Sequence, residues 1–296
     1  MVQVVIAKGD YSRLDSIFSR IFDFLGTDLV REAKQIAIKI NLCEYRAPES
    51  GATTHPAFLD GFLGWIIPKC QHPNICVVES DATTSRPDLV SKWLGLDQIM
   101  EKHGVKWVNL SKDTWSRKRI SGLKFRSMKI PDTILQSDLV ISMAKMKTHS
   151  LTTISCSLKN QFGCIPYSKK IRFHDFLDKA IVDACSAMLP QLAIVDGIIG
   201  MGGPRGPVDG VPIQARYVVA GRDPVAVDSA CATMMGLNPR RIAHLKLAES
   251  QGLGSMRFDA VGDGMPTELP DFAINETYRR ILKLAATSRR HSIGLR

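Results

Sequence analysis

Short apolar runs rich in β-branched residues alternate along the chain with stretches in which apolar residues recur every three or four positions. The run "VQVVIA" (2–7) predicts a first strand. In "DYSRLDSIFSRIFDFLG" (10–26), Leu14, Ile17, Phe18, Ile21, Phe22 and Leu25 share one helical face and Gly26 supplies the stop. "QIAIKIN" (35–41) predicts a second strand, "HPAFLDGFLGWII" (55–67) a helix with Pro56 in its first turn, and "ICVVES" (75–80) a third strand. "KWVNL", "LKFRSMKIP", "DLVISM", "LAIVDG" and "ARYVVAG" read as further strands. "GRDPVAVDSACATMMG" (221–236) reads as a helix capped by Asp223, with Pro224 at its first position and Gly236 at its end. Alternation at this spacing predicts an α/β fold, a mostly parallel sheet with helices on both faces, with two α/β lobes around a cleft as one arrangement. Polar and Gly/Pro-rich stretches near 165–172 and 200–212 suggest an N-terminal lobe (1–170), a second lobe (171–270) and a basic C-terminal helix or tail (271–296).

Ligands of such sheets sit beyond the carboxyl ends of the strands. The polar clusters that follow the predicted strands are "KINLCEY" (39–45), "ESDATT" (79–84), "SMAKMKTH" (142–149), "DGIIGMGG" (196–203) and "GRDP" (221–224). They are expected to converge on one cleft.

The densest chemistry lies in "KMKTHSLTTISCSLKNQFG" (145–163). It holds Lys145, Lys147, Lys159 and His149 among hydroxyls, and no carboxylate occurs between Asp138 and Asp175. Lysine amines hold phosphate or carboxylate, or act as nucleophiles when burial lowers their pKa. Histidine serves as acid, base or metal ligand. The catalytic candidates are therefore His149, Lys159 and Lys147, with Lys39, Asn41, Lys145 and Asn160 as binding groups; the bland alternative is a basic loop over the sheet edge. His174, at the start of a helix, is a metal-ligand candidate, against a plain polar cap. Asp228 lies inside an otherwise apolar helix and needs a partner, either a lysine such as Lys39 or a metal. "TTHP" offers Thr54 or Thr53 as a cap, with His55 beside free amides that suit a phosphate. In "GMGGPRGP" (200–207), Gly203 and Arg205 could wrap an anion, although neither the Walker pattern nor the dinucleotide fingerprint is present.

Charge and cysteines narrow the classes. The formal net charge is +10, but Arg279, Arg280, Lys283, Arg289, Arg290 and Arg296 follow Glu276 with no acid among them, so much of the excess sits in the tail. The seven cysteines are dispersed and none forms a two-residue-gap pair, which points away from an iron–sulfur cluster or zinc knuckle and toward a reducing, cytoplasmic setting. No apolar run reaches membrane-spanning length, and the first residues read as a strand rather than a signal peptide.

Taken in order, "KIN", "THP", "ES", "SDLVIS-AK-KTH", "LKNQFG", "IVDGI-GM-GGP-GP", "AGRDPVAVD" and "GLG" resemble the uncharacterised family catalogued as domain of unknown function 362, over roughly residues 35–262. Some of its members carry ferredoxin-like modules, whose cysteines this chain lacks. The layout more faintly resembles the lactate racemase family, which uses a nickel-pincer nucleotide. That resemblance implies a phosphate-receiving helix start at His55–Pro56, a histidine at His149, a lysine at Lys159 that carries the cofactor covalently, and a nickel-ligating His174. It departs where "ESDATT" replaces the family's other catalytic histidine and His55 replaces a basic residue.

Three functions follow. The first is an enzyme acting on an anionic small molecule or nucleotide-like cofactor by proton transfer, isomerisation or redox chemistry, with a divalent metal or a lysine-bound cofactor as candidate helpers. The second is a metal- or cofactor-binding carrier without turnover. A nucleic-acid binder ranks last, because aromatics are sparse and the excess charge lies in a tail. Oligomer formation is left open.

Overall fold

The computed structural model describes residues 1–72, 74–203, 206, 209–267 and 271–272. All of the basic tail expected over 271–296 except Asp271 and Phe272 lies outside them, as does Arg205. The chain begins with β1 (Val2–Lys8), α1 (Leu14–Leu25), α2 (Asp28–Glu32) and β2 (Ile36–Lys39). Then come α3 (Pro56–Ile66), β3 (Ile75–Glu79), α4 (Pro87–Trp93), α5 (Leu96–Lys102) and β4 (Lys106–Asn109). A ribbon of β5 (Trp115–Arg119) and β6 (Ser127–Pro131) precedes α6 (Asp132–Leu135), β7 (Leu139–His149), β8 (Thr153–Ser155) and α7 (Ser157–Phe162). The remainder is α8 (Leu177–Ala187), β9 (Leu192–Gly202), β10 (Val211–Ile213), β11 (Tyr217–Gly221), α9 (Pro224–Met234), α10 (Ala243–Ser250) and β12 (Phe258–Gly262).

Ten strands form one mixed, mostly parallel sheet in the order β12-β1-β11-β9-β7-β2-β3-β4, with β10 added to β9 and β8 to β7. The pairs β9–β7, β7–β2, β2–β3 and β3–β4 are parallel, while β11 runs antiparallel to both β1 and β9. Strands from both sides of residue 170 share this sheet. Helices cover both faces, so the central strands are buried throughout: every residue of β2 and of β7 is buried. On one face the expected stripe of α1 packs on α3, with the Phe18 ring 5.3 Å from Phe58 and 5.1 Å from Phe62. The other face is covered by α7 to α10, whose Leu158, Ile181, Val227 and Leu245 join a second apolar cluster.

The predicted strands are present, and so are the helices expected over 10–26, 55–67 and 221–236. The sequence pattern does not announce α2, α4, α5, α6 or α7, which are at most seven residues each, too short for a clear helical period. Nor does it announce β5, whose "WSRKR" is exposed and charged.

Candidate functional site

One change from expectation organises the site. The lysines and histidine of "KMKTH" do not lie on a loop after a strand; they are the last turn-free residues of β7 itself, and β7 folds back through a short hairpin into β8. His149 organises that hairpin. Its Nδ1 accepts the N–H groups of Leu151 (3.1 Å) and Thr152 (3.3 Å). Just beyond, Thr153 holds φ at +76°, a region that β-branched residues rarely occupy, as expected of backbone that neighbouring contacts over-determine.

Beyond the parallel ends of β2, β3 and β7 lies a cavity of about 290 Å³. Lys39, Asn41, Lys147, His149, Lys159 and Asn160 line it, as does His174 from a 3₁₀ turn spanning Lys170–Phe176. Those seven candidates are brought together. Three post-strand clusters, "KINLCEY", "ESDATT" and "SMAKMKTH", meet here as expected. The cluster "GRDP" cannot, because antiparallel β11 ends beside the start of β9, at the opposite end of the strands; Asp223 instead caps α9 through the N–H groups of Val225 and Ala226.

Four lysines face the cavity, and three of them are tied down. Lys39, 1% exposed, pairs with Glu79 at 2.8 Å and donates to the Ile40 carbonyl and to Asn160 Oδ1. Lys147, equally buried, donates to Asn41 Oδ1 (2.7 Å) and the Ala52 carbonyl (2.8 Å). Lys170 donates to Ser80 Oγ and the Asp81 carbonyl. Among the described residues, Lys159 has no hydrogen-bond or ion-pair partner. Burial, reinforced by the charges of Lys147 and Lys39, outweighs Cys43 and Glu79 and brings its pKa down to about 8. Burial also pushes His149 well below the usual imidazole value, with the Lys159 and Lys147 charges adding to it. A neutral His149 whose Nδ1 accepts two N–H groups carries its proton on Nε2.

The frame around these groups is polar and closely fitted. Asn160 donates to the Lys39 carbonyl (3.0 Å) and to Ser142 Oγ (3.1 Å), and its Oδ1 accepts from Asn41. Gly163 is required here, since a Cβ would lie 2.7 Å from Lys39 Nζ. The acids missing from residues 139–174 come from other strands: Glu79 from β3, and Glu44 from the segment after β2, whose pKa burial raises. Four lysines therefore face two carboxylates, and the electrostatic balance favours an anion.

Other candidates stand elsewhere and do not line the cavity. Lys145 is paired with Asp196 at 2.7 Å, both 1% exposed, and Tyr11 donates to the same carboxylate. His55, rather than Thr53 or Thr54, caps α3 by accepting the Ala57 N–H, and its ring stacks 3.9 Å from Tyr11. Thr54 exchanges hydrogen bonds with the Asn41 backbone and so positions it. The Gly203 N–H donates to the Phe272 carbonyl and so does not wrap an anion, while the Gly203 carbonyl braces β7 by accepting from Thr148. Among the described residues Asp228 pairs with no lysine. Its two oxygens accept the Ser157 and Leu158 N–H groups at 2.7 and 2.9 Å, closing the start of α7, while burial lifts its pKa to about 7. Glu79, Ser80, Cys43, Glu44 and Lys170 also line the cavity; all but Lys170 belong to a post-strand cluster, and no local pattern in the sequence marks Lys170.

Among the described residues no three or more His, Cys, Asp or Glu side chains are grouped to hold a metal, so the residues present do not fit a metal held by protein side chains alone. All seven cysteines are free. No helix of the described residues is long and apolar enough to cross a membrane.

Over 80% of this chain and 58% of the other, the fold is similar to the lactate racemase apoprotein from Thermoanaerobacterium thermosaccharolyticum, with a TM-score of 0.50 and 12% sequence identity. The chain is 29% identical over 136 residues to "Thylakoid-associated protein sll1697" of Synechocystis sp. (strain ATCC 27184 / PCC 6803 / Kazusa), a stretch covering 44% of this chain and 42% of that relative. The matched regions thus span less than two thirds of the length of each of these two proteins. With residues 36–233 matching its profile, the chain belongs to the family described as Domain of unknown function (DUF362).

Proposed function

We propose that the protein is an enzyme that binds a small carboxylate bearing a carbonyl and moves a proton at the carbon beside it. The observation that carries this is Lys159, the one cavity lysine without a partner among the described residues, with a pKa of about 8. A fraction of its amine is uncharged near neutral pH and can accept a proton. His149 supplies the complementary group. Its Nε2–H donates to the carbonyl oxygen, where negative charge accumulates as the proton leaves, and the Lys147 charge lies close by. A neutral imidazole is the better partner, because it stabilises the oxyanion without first surrendering a proton. The excess of lysines over carboxylates holds the substrate's own carboxylate. The fold likeness to lactate racemase agrees with a small carboxylate as ligand.

The test is deuterium exchange at C3, the carbon beside the carbonyl, in a panel of 2-oxo acids in D2O, followed by proton NMR. The wild-type protein should exchange at least one acid, and Lys159→Met should slow that exchange by about a hundredfold or more. Unchanged exchange in Lys159→Met would sink the assignment. Binding without exchange would favour a carrier, in which intact mass should reveal a group attached at Lys159.

A further inference from the structure

The β5–β6 ribbon stands apart from the main sheet and carries a charge pattern of its own. From Trp115 to Lys129 the chain holds Arg117, Lys118, Arg119, Lys124, Arg126 and Lys129, and no acid. Five of the six are exposed and Lys129 is half-buried. Among the described residues none of the six makes an ion pair. The carboxylates beneath the ribbon are otherwise engaged. Asp183 accepts the N–H groups of Leu123, Lys124 and Phe125, and Asp132 accepts from Ser116.

Beside the ribbon is a second cavity, of about 310 Å³, lined by Phe125, Met128, Tyr167, Arg172, Phe173 and Phe176 with Ser127. Its rings are held edge to face, Phe125 lying 5.7 Å from both Phe173 and Phe176. Cations lie over rings at its rim. The Arg172 guanidinium is 4.2 Å from the Tyr167 ring, and the Lys129 amine is 3.4 Å from exposed Trp115 and 5.7 Å from Tyr167. This cavity is distinct from that of Lys159. The Lys170–Phe176 turn is the wall between them: Lys170, Ile171 and His174 line the first, and Arg172, Phe173 and Phe176 the second.

We propose that the ribbon and the aromatic cavity together bind single-stranded nucleic acid, one base entering against Tyr167 and Arg172 while phosphates lie along Arg117, Arg119 and Lys129. An unpaired row of cations attracts any polyanion, and a ring-lined cavity accepts any flat group. A repeating unit with a charged backbone and a flat ring satisfies both at once. An acidic peptide supplies the charge without the rings. A membrane surface calls for apolar side chains that protrude, whereas the rings here line a concavity, apart from Trp115, over which the Lys129 amine lies. A duplex keeps its bases stacked inside. Aromatics are few in the chain as a whole, and folding gathers residues 125, 167, 173 and 176 onto one spot beside the ribbon.

The experiment is fluorescence anisotropy with the full chain and a labelled single strand of roughly twelve nucleotides, titrated across salt. Binding should weaken with salt. The pair Arg117→Ala and Arg119→Ala should lower affinity about tenfold and flatten the salt slope by about 1.4, or 0.7 per phosphate contact. Tyr167→Ala, and independently Arg172→Ala, should reduce the affinity of a base-bearing strand to that of an abasic strand. The basic residues after Glu276 are present throughout, so the ribbon variants decide, not binding alone. The proposal is overturned if the abasic strand binds wild type as tightly as the base-bearing one, if the ribbon pair leaves the slope unchanged, if a mononucleotide matches the strand, or if phosphatidylglycerol vesicles bind while the strand does not.

Discussion

Lys145 and Lys159 come from one acid-free segment, and both lose most of their water, yet folding treats them in opposite ways. Lys145 is closed off with Asp196, which also accepts from Tyr11 and from the Ile198 N–H. Lys159 opens on a cavity with no partner among the described residues. A buried charge that is fully paired holds the fold in register; one left unpaired weakens the fold slightly and keeps its chemistry available. The sharpest way to break this contrast is Asp196→Ala. It strands the Lys145 ammonium and should cost about 3–5 kcal/mol in urea unfolding. Replacing the pair together, Lys145→Met with Asp196→Leu, should recover most of that loss. A cost below about 1 kcal/mol for the single substitution would mean that the pair is not structural and that the contrast fails.

Asp228 tests the same distinction from below the site. It holds the start of α7, the helix that carries Lys159 and Asn160, through two backbone N–H groups. Asp228→Ala leaves both without acceptors and should cost about 2–4 kcal/mol, whereas Asp228→Asn keeps one acceptor and should cost less. Thermal melting of the two variants checks the order. Equal losses would point to the carboxylate charge rather than its geometry.

How much of this was legible beforehand depends on which residues a local pattern can reach. Apolar period and caps gave α1, α3, α9 and the buried strands, because those signals are local. Parallel order then drew "KIN", "ES" and "KTH" to one cavity, so Lys39, Lys147, His149, Lys159 and Asn160 could be named together. What could not be read was pairing. Nothing near Lys145 in sequence announces Asp196, and nothing near Lys39 announces Glu79, because both partners arrive on other strands. The antiparallel turn of β11, which takes "GRDP" away from the cavity, is likewise invisible to local pattern. So is the aromatic cavity, whose rings come from separate segments on either side of β7.

With pairing known, the third prediction follows. Lys159→Met removes an amine that holds nothing, so it should not destabilise the fold in the same urea experiment, and relief of the desolvated charge should raise stability. Loss of its positive charge from the cavity should weaken anion binding by up to about tenfold by calorimetry, a smaller effect than the loss of proton exchange. Large destabilisation with unchanged binding would reverse the assignments of Lys145 and Lys159.

The smallest effect is the dependence on pH. The Lys159 amine has a folded pKa of about 8, below the value of about 10.4 expected of an unfolded lysine. The folded state therefore binds fewer protons between these values, and this group's contribution to stability increases as pH rises through the window. Anion affinity should run the other way, falling as pH rises through 8 and the amine loses its charge, while reactivity toward reductive methylation increases. Lys170 also sits near 8, but its amine is engaged by Ser80 and the Asp81 carbonyl, so it should label more slowly than Lys159. Peptide mapping after brief labelling at pH 8 separates the two. If Lys170 labels first, hydrogen bonding does not protect a cavity lysine, and the distinction between tied and free amines loses its chemical meaning.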